Sequence, residues 1–225
     1  MKLSSTLLTR RNLLRGGLAF GAAMYYLPGA FADELSLTPR LTEGPFYPDK
    51  LPLDKDNDLI ILGNSITPAA GQITHLTGRV LDPSGKPIKN ATLEIWQVDH
   101  KGIYLNSRDR RNRQRDQNFQ GYGTFTTASN GEYRFRTIKP VPYSGRTAHI
   151  HVRVNRGGRE VLTTQVFING FSQNNSDMVL RGIRNLVDRE LVLVDFKPVK
   201  DSKIGELSAR FDIVVGVTPS DRPEA

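Results

Sequence analysis

Four side chains in this sequence could together hold a metal ion. His149 and His151 flank Ile150 at the head of the β-branched run Val152-Arg153-Val154. Side chains at i and i+2 of a strand share a face, so the two imidazoles stand side by side, a geometry that suits two ligands of one metal. A bare His-x-His is more often an exposed pair satisfied by water or carboxylates, so its neighbours decide. In Trp96-Gln97-Val98-Asp99-His100-Lys101-Gly102-Ile103-Tyr104 an apparent strand ends in a loop that carries Tyr104. Lys139-Pro140-Val141-Pro142 leads to Tyr143, six residues before His149. Each tyrosine taken singly is an ordinary half-buried aromatic. With the histidine pair, the two tyrosines make an N₂O₂ donor set.

These residues need a framework, and the sequence from Ile73 onward reads as β. Alternating runs predict strands at Ile73–Leu81, Thr92–Val98, Gly123–Thr127, Glu132–Thr137, His149–Val154, Thr163–Ile168 and Arg210–Val217. Asp82-Pro83-Ser84-Gly85-Lys86-Pro87 is a turn, with proline presetting φ and glycine accepting a positive one; Ser129-Asn130-Gly131 is another. Short strands with such punctuation point to an all-β fold, an antiparallel β-sandwich. Val179, Ile183, Leu186 and Val187 fall at helical spacing, predicting one short helix within Ser176–Val187. Residues 33–72 are rich in proline and glycine without a clear period and form an irregular N-terminal arm; the sandwich domain occupies 73–225. Glu43-Gly44-Pro45-Phe46-Tyr47-Pro48 is the arm's most rigid part, an elbow that either lines a pocket or simply packs. The five arginines in Arg108–Arg115 read as a solvated loop rather than a binding patch.

The beginning of the chain reads as targeting chemistry. Residues 1–32 contain Lys2, Arg10, Arg11 and Arg15 but no acid, and the arginine pair precedes an apolar stretch from Leu18 to Leu27. Ala30-Phe31-Ala32 offers a cleavage site before Asp33, so this is a twin-arginine export signal, too short in apolar residues to span a bilayer. The expected location is periplasmic or secreted, with the twin-arginine translocase as a partner during export and no membrane partner after processing. That route carries folded proteins, which suits one that receives its metal in the cytoplasm. The full chain carries 31 basic and 23 acidic residues, a net charge of +8 that falls to +4 without the signal. So modest an excess does not argue for a nucleic-acid partner. With no cysteine, the exported chain has no disulfide, thiolate metal site or thiol nucleophile.

Taken together, the motifs resemble those of the intradiol ring-cleavage dioxygenases, the family of protocatechuate and catechol dioxygenases. The resemblance runs from about Leu41 to about Phe171. It rests on Glu43-Gly44-Pro45-Phe46-Tyr47, Gly78-Arg79-Val80, Glu94-Ile95-Trp96-Gln97, Gly102-Ile103-Tyr104 and Tyr133 through Pro140. It continues through Pro142-Tyr143, Arg146-Thr147-Ala148-His149-Ile150-His151 and Thr163-Thr164-Gln165-Val166-Phe167. No single motif is decisive, but their order is highly specific.

The resemblance implies a mononuclear, non-haem Fe(III) ligated by Tyr104, Tyr143, His149 and His151. Phenolates are hard anionic donors that favour the ferric state, and imidazoles suit iron. The family's substrate is a catechol chelated through both oxygens, with Tyr143 matching the tyrosinate that leaves the metal and helps accept substrate protons. Both atoms of O₂ then enter between the hydroxyl-bearing carbons, giving a cis,cis-muconate-type diacid. Arg146 matches an arginine that stabilises negative charge on the substrate, and Gln165 a glutamine near the oxygen pocket. Gly44, Pro45 and Phe46 match an elbow that approaches the substrate ring. His75 and His100 fall outside the pattern as ordinary surface or loop histidines.

Two features depart from well-known members. Only Ser144-Gly145-Arg146-Thr147-Ala148 separates the second tyrosine from the first histidine, where others carry a longer loop with an aromatic residue. The shorter segment implies an open mouth and broad or bulky aromatic substrates. The export signal implies work on phenolics outside the cytoplasm. A homo-oligomer is compatible with the sequence. The rival from another class is a non-catalytic transthyretin-like β-sandwich binding module, which would have no reason to keep four metal donors. A metal hydrolase built on the two histidines would lack its third ligand.

Overall fold

The computed structural model describes residues 34–216; the export signal expected over residues 1–32 and Val217, the end of the last expected strand, lie outside them. The alternating runs form β1 (Ile73–Leu81), β2 (Ala91–Trp96), β3 (Tyr122–Thr126), β4 (Glu132–Ile138), β5 (His149–Arg156) and β6 (Arg159–Ile168). After α1 (Met178–Gly182) and α2 (Leu186–Glu190) come the short strands β7 (Leu193–Val194), β8 (Phe196–Pro198), β9 (Leu207–Arg210) and β10 (Ile213–Val214). One sheet has β4 and β9 paired with β1, β8 beyond β9, and β10 against the end of β1. The other runs β3-β2-β5-β6-β7. Both sheets are mixed around antiparallel centres, because β9 and β10 run parallel to β1 and β7 parallel to β6.

Two local expectations change. The strand expected over Arg210–Val217 is broken, because the Asp212 carboxylate accepts from Arg79 N at 2.9 Å and interrupts the ladder between β9 and β10. The single helix expected within Ser176–Val187 is two. α1 ends at Gly182, and the Asn185 side chain accepts from Val187 N to start α2 afresh. The Ser129-Asn130-Gly131 turn joins β3 to β4, strands of different sheets. The turn after β1 is as its residues imply: Asp82 Oδ1 accepts from Ser84 N and Lys86 N, and Gly85 has φ +81°.

The core lies between the sheets, where Leu76, Val80 and Phe135 from one meet Leu93, Ile95, Ile150, Val152 and Val166 from the other, all buried. Strand period 2 then fixes what lies on the far side of the second sheet. Cross-strand partners there are Trp96 with His151, His151 with Gln165, and His149 with Phe167. A polar outer face of this kind needs a cover, and residues 34–72 supply part of it without forming a strand or helix of their own. Leu41 N donates to Thr163 O, Arg40 reaches Glu160 and Val161 O, and Leu59 and Ile60 enter the main core.

Candidate metal centre

His149 and His151 sit on β5 with their rings toward the covered outer face, and both are buried. Tyr104 arrives on the connection from β2 to β3, which is cross-linked to itself. Asp99 Oδ1 accepts from Lys101 N and Ile103 N, while Asp99 Oδ2 accepts from Asp116 N. Tyr104 N donates to Asp109 Oδ2 at 3.1 Å, and Asn112 holds Tyr104 O at 3.0 Å. Two members of the arginine run help: Arg111 donates to Gly102 O, and Arg115 to Asp116 O and Phe119 O. The run is therefore partly a brace for the tyrosine loop, not only a solvated segment. His75 pairs with Glu206 at 3.0 Å and His100 lies 3.6 Å from Asp116, both away from the other two histidines.

Tyr143 and Arg146 are set by a two-residue hairpin. Ser144 has φ +41° and Gly145 φ +78°, the positive pair of a type I′ turn, and Tyr143 and Arg146 exchange both backbone hydrogen bonds across it. The short connection thus makes the tyrosine and the arginine cross-strand neighbours. The Tyr143 ring stands 5.0 Å from the Tyr104 ring at 87° and 5.6 Å from that of His149.

Three donor atoms converge. Tyr104 OH lies 3.2 Å from His149 Nε2 and 3.0 Å from His151 Nε2, and the two Nε2 atoms are 3.2 Å apart. A point equidistant from the three is about 1.8 Å from each, so the spacing of these heads would suit a small cation, whose bonds to imidazole run ~2.0–2.1 Å. His149 Nδ1 is committed as a donor to Thr147 O at 2.6 Å, which leaves its Nε2 lone pair aimed at that point. Burial, with help from the Arg146 charge, pushes His149 down to about 4, and burial and His149 push His151 well below its ordinary value. Both rings are therefore neutral near pH 7, the form in which an imidazole can take a metal. Burial and Tyr143 raise Tyr104 well above the usual phenol value, a cost that a bound cation would reverse. Among the described residues no three histidine, aspartate or glutamate side chains gather as a metal site, so a metal held here would need the phenols as donors.

Beside the donors lies a charged group on a fixed mount. Arg146 Nε donates to Asp177 Oδ2 at 2.7 Å, and Arg146 Nη2 to Gln165 Oε1 at 2.7 Å. Gln165 in turn donates through Nε2 to Thr42 O, so its amide is engaged at both ends and its contact with the site is through Arg146. The elbow closes over this arrangement. Phe46 stacks on Tyr104 with centroids 5.1 Å apart and meets Tyr143 edge-on. Gly44, at φ +72°, lies against His151, where an added Cβ would stand 3.5 Å from Cε1. Pro45 is exposed beside them.

A family model described as Dioxygenase matches residues 42–216, which include every one of these groups. The chain belongs to the intradiol dioxygenase family. It is 33% identical over 165 residues to the protocatechuate 3,4-dioxygenase beta chain of Burkholderia cepacia, covering 68% of this chain and 69% of that one. It is 28% identical over 195 residues to hydroxyquinol 1,2-dioxygenase of Corynebacterium glutamicum, covering 76% of this chain and 61% of the relative. Among solved structures, the dioxygenase domain of a dioxygenase carbohydrate-binding protein fusion from Streptomyces sp. SirexAA-E matches with a TM-score of 0.61 at 27% identity. That match covers 81% of this chain and all of the Streptomyces domain.

In this dioxygenase the geometry brings in one residue that the sequence motifs leave out, Asp177, and gives Trp96, which they include, a contact they do not reveal. Asp177, fully buried, links Arg146 to the start of α1: its Oδ1 accepts from Val179 N and Leu180 N while its Oδ2 takes Arg146 and Thr147 N. An aspartate ahead of a helical run is a legible cap, but nothing local says what its second oxygen faces. Trp96 stacks on His151 at 4.7 Å and 7°, a contact that follows from their being cross-strand partners and not from either motif alone.

Proposed function

We propose that this dioxygenase holds Fe(III) through Tyr104, Tyr143, His149 and His151 and opens catechols between their two hydroxyl-bearing carbons. The observation that carries this reading is the convergence of one phenol and two imidazole heads within 3.2 Å of one another in a buried site. When bound, the ferric ion would ionise the phenols, take both oxygens of a catechol and make the ring reactive toward O₂. The protein's own groups do the rest. His149 and Tyr104 are held rigidly by Thr147 O and by the Asp99–Asp109 loop. Tyr143 is the least buried of the four donors, sits on a two-residue turn, and is the one suited to leave and take a substrate proton on its phenol oxygen. Arg146 carries a planar guanidinium mounted to stabilise negative charge on the substrate. Gly44, Pro45 and Phe46 form the wall that meets the ring.

The brevity of Ser144–Ala148, most of it spent on a turn, supports broad or bulky catechols as substrates. The purified protein is expected to carry one iron per chain, to absorb visible light through tyrosinate-to-iron charge transfer, and to consume both catechol and larger catechols. A colourless, iron-free protein under iron-replete expression would overturn the centre; turnover of protocatechuate alone would overturn the breadth. The paired arginines also support export through the twin-arginine route. Arg10→Lys with Arg11→Lys is expected to leave the protein in the cytoplasmic fraction, and unchanged export of that variant would dismiss the assignment.

A further inference from the structure

Arg153 follows His151 by two residues on β5 and therefore shares its outer face. Its side chain is 14% exposed and is surrounded by three carboxylates: it pairs with Glu43, and stands 3.6 Å from Glu94 and 3.5 Å from Glu160. The guanidinium carbon also lies 4.3 Å from the centroid of the Tyr47 ring and 5.5 Å from that of Trp96. Tyr47 donates to Glu94 Oε2 at 2.8 Å and meets Trp96 edge-on at 5.0 Å, and Trp96 is the residue stacked on His151. Glu43 and Tyr47 are the two ends of the elbow whose interior, Gly44 and Phe46, rests on His151 and Tyr104. One guanidinium thus grips both ends of the segment that covers the donor set, by charge at one end and by cation–π contact at the other.

We propose that Arg153 is a positioning residue for the elbow: it latches Glu43 and Tyr47 to the metal-bearing sheet and so sets how closely the wall approaches a bound catechol. The proposal rests on the dioxygenase reading of the site. Arg153 itself reaches neither the donors nor the substrate. Its loss is felt through Gly44 and Phe46, and so in substrate binding more than in the chemical step.

The test uses Arg153→Lys, which keeps the charge but loses the planar fork, and Glu43→Gln. Glu43 is 45% exposed, so its substitution removes one half of the latch with little risk to folding. The expected result in both is a KM for catechol raised about tenfold with kcat within about threefold, and with iron content and the visible band unchanged. The chain's only tryptophan is Trp96, so its emission reads the stack directly. In Arg153→Lys it is expected to shift to the red, whether iron is present or not. Glu132→Gln, which breaks an exposed ion pair with Arg79 on the other sheet, serves as the control and is expected to change nothing. Unchanged KM in both variants overturns the proposal, as does a fall in iron content that accounts for the whole loss of activity. Should the unsubstituted protein hold no iron, the reading of the site fails, and the emission of the metal-free chain still decides whether Arg153 braces the stack.

Discussion

His149→Ala and Tyr104→Phe are expected to strip the protein of iron and colour, whereas Arg146→Ala keeps both and loses turnover. The difference follows from where each group points. Tyr104 OH and the two Nε2 atoms form a triangle with sides of 3.0 to 3.2 Å, and no other donor among them can move to fill a missing corner. His149 is locked by its hydrogen bond to Thr147 O, and Tyr104 sits in a loop held by Asp99 and Asp109. Changes to groups that merely orient ligands cost 10–100-fold in metal affinity, so loss of a ligand should cost more than ~100-fold. Tyr104→Phe is the cleaner variant, because it deletes one oxygen and leaves the stacking on Phe46 intact. Arg146 makes its hydrogen bonds to Asp177 and Gln165, and a positive group next to a site for a cation contributes nothing to holding it. Removing an electrostatic stabiliser of this sort lowers kcat by about 10²–10³. Equal iron content and unchanged spectra in all three variants, measured by metal analysis and visible absorption, would refute the ligand assignment.

The sequence made the strands and the histidine pair legible for the same reason: period 2 is local, and it puts Ile150 and Val152 inward as surely as it puts His149 and His151 outward. Tyr104 and Tyr143 were readable through motif order, since nothing in their own surroundings distinguishes them from packed aromatics. What local pattern could not supply was anything decided by a distant partner. The parallel pairing of β9 and β10 with β1 depends on where the chain returns after two helices. Asn185 outcompetes the apolar spacing of Val179, Ile183 and Leu186 because its side chain offers Val187 N a nearer acceptor. Arg111 and Arg115 become braces because carbonyls of Gly102 and Phe119 lie open to them, which a charge run does not reveal. The Gln165 amide hydrogen-bonds Arg146 and Thr42 O, partners from a turn and from the N-terminal arm that its place on the strand does not reveal.

Asp177→Asn is expected to lower both stability and turnover, and to do so through the same two contacts. The Asp177 carboxylate is fully buried and accepts four hydrogen bonds, from Arg146 Nε and Thr147 N on one oxygen and from Val179 N and Leu180 N on the other. An asparagine has one acceptor oxygen, so whichever way its amide turns, an NH₂ group faces two N–H donors. Either α1 loses its cap or Arg146 loses its mount, and a half-buried guanidinium loses its counter-charge in both orientations. The cost should be roughly 3 kcal/mol, or about 6–12 °C in Tm for a domain of this size. Burial pushes the Asp177 carboxyl up, but donation by Leu180 N, Arg146 and Thr147 N outweighs it and holds the group below the usual carboxylate range. A carboxyl whose folded value is depressed contributes stability above its unfolded value, near ~3.9, and loses it as pH falls through the folded value. The difference in stability between the native chain and Asp177→Asn should therefore be full near neutrality and shrink at the acid end. Turnover should fall toward the level of Arg146→Ala with iron retained, and Asp177→Asn combined with Arg146→Ala should lose little more than Arg146→Ala alone, because the aspartate acts on the reaction through the arginine. Fully additive losses in that cycle would mean that Asp177 has some other route to the chemistry; undiminished kcat in Asp177→Asn would mean that Arg146 needs no mount.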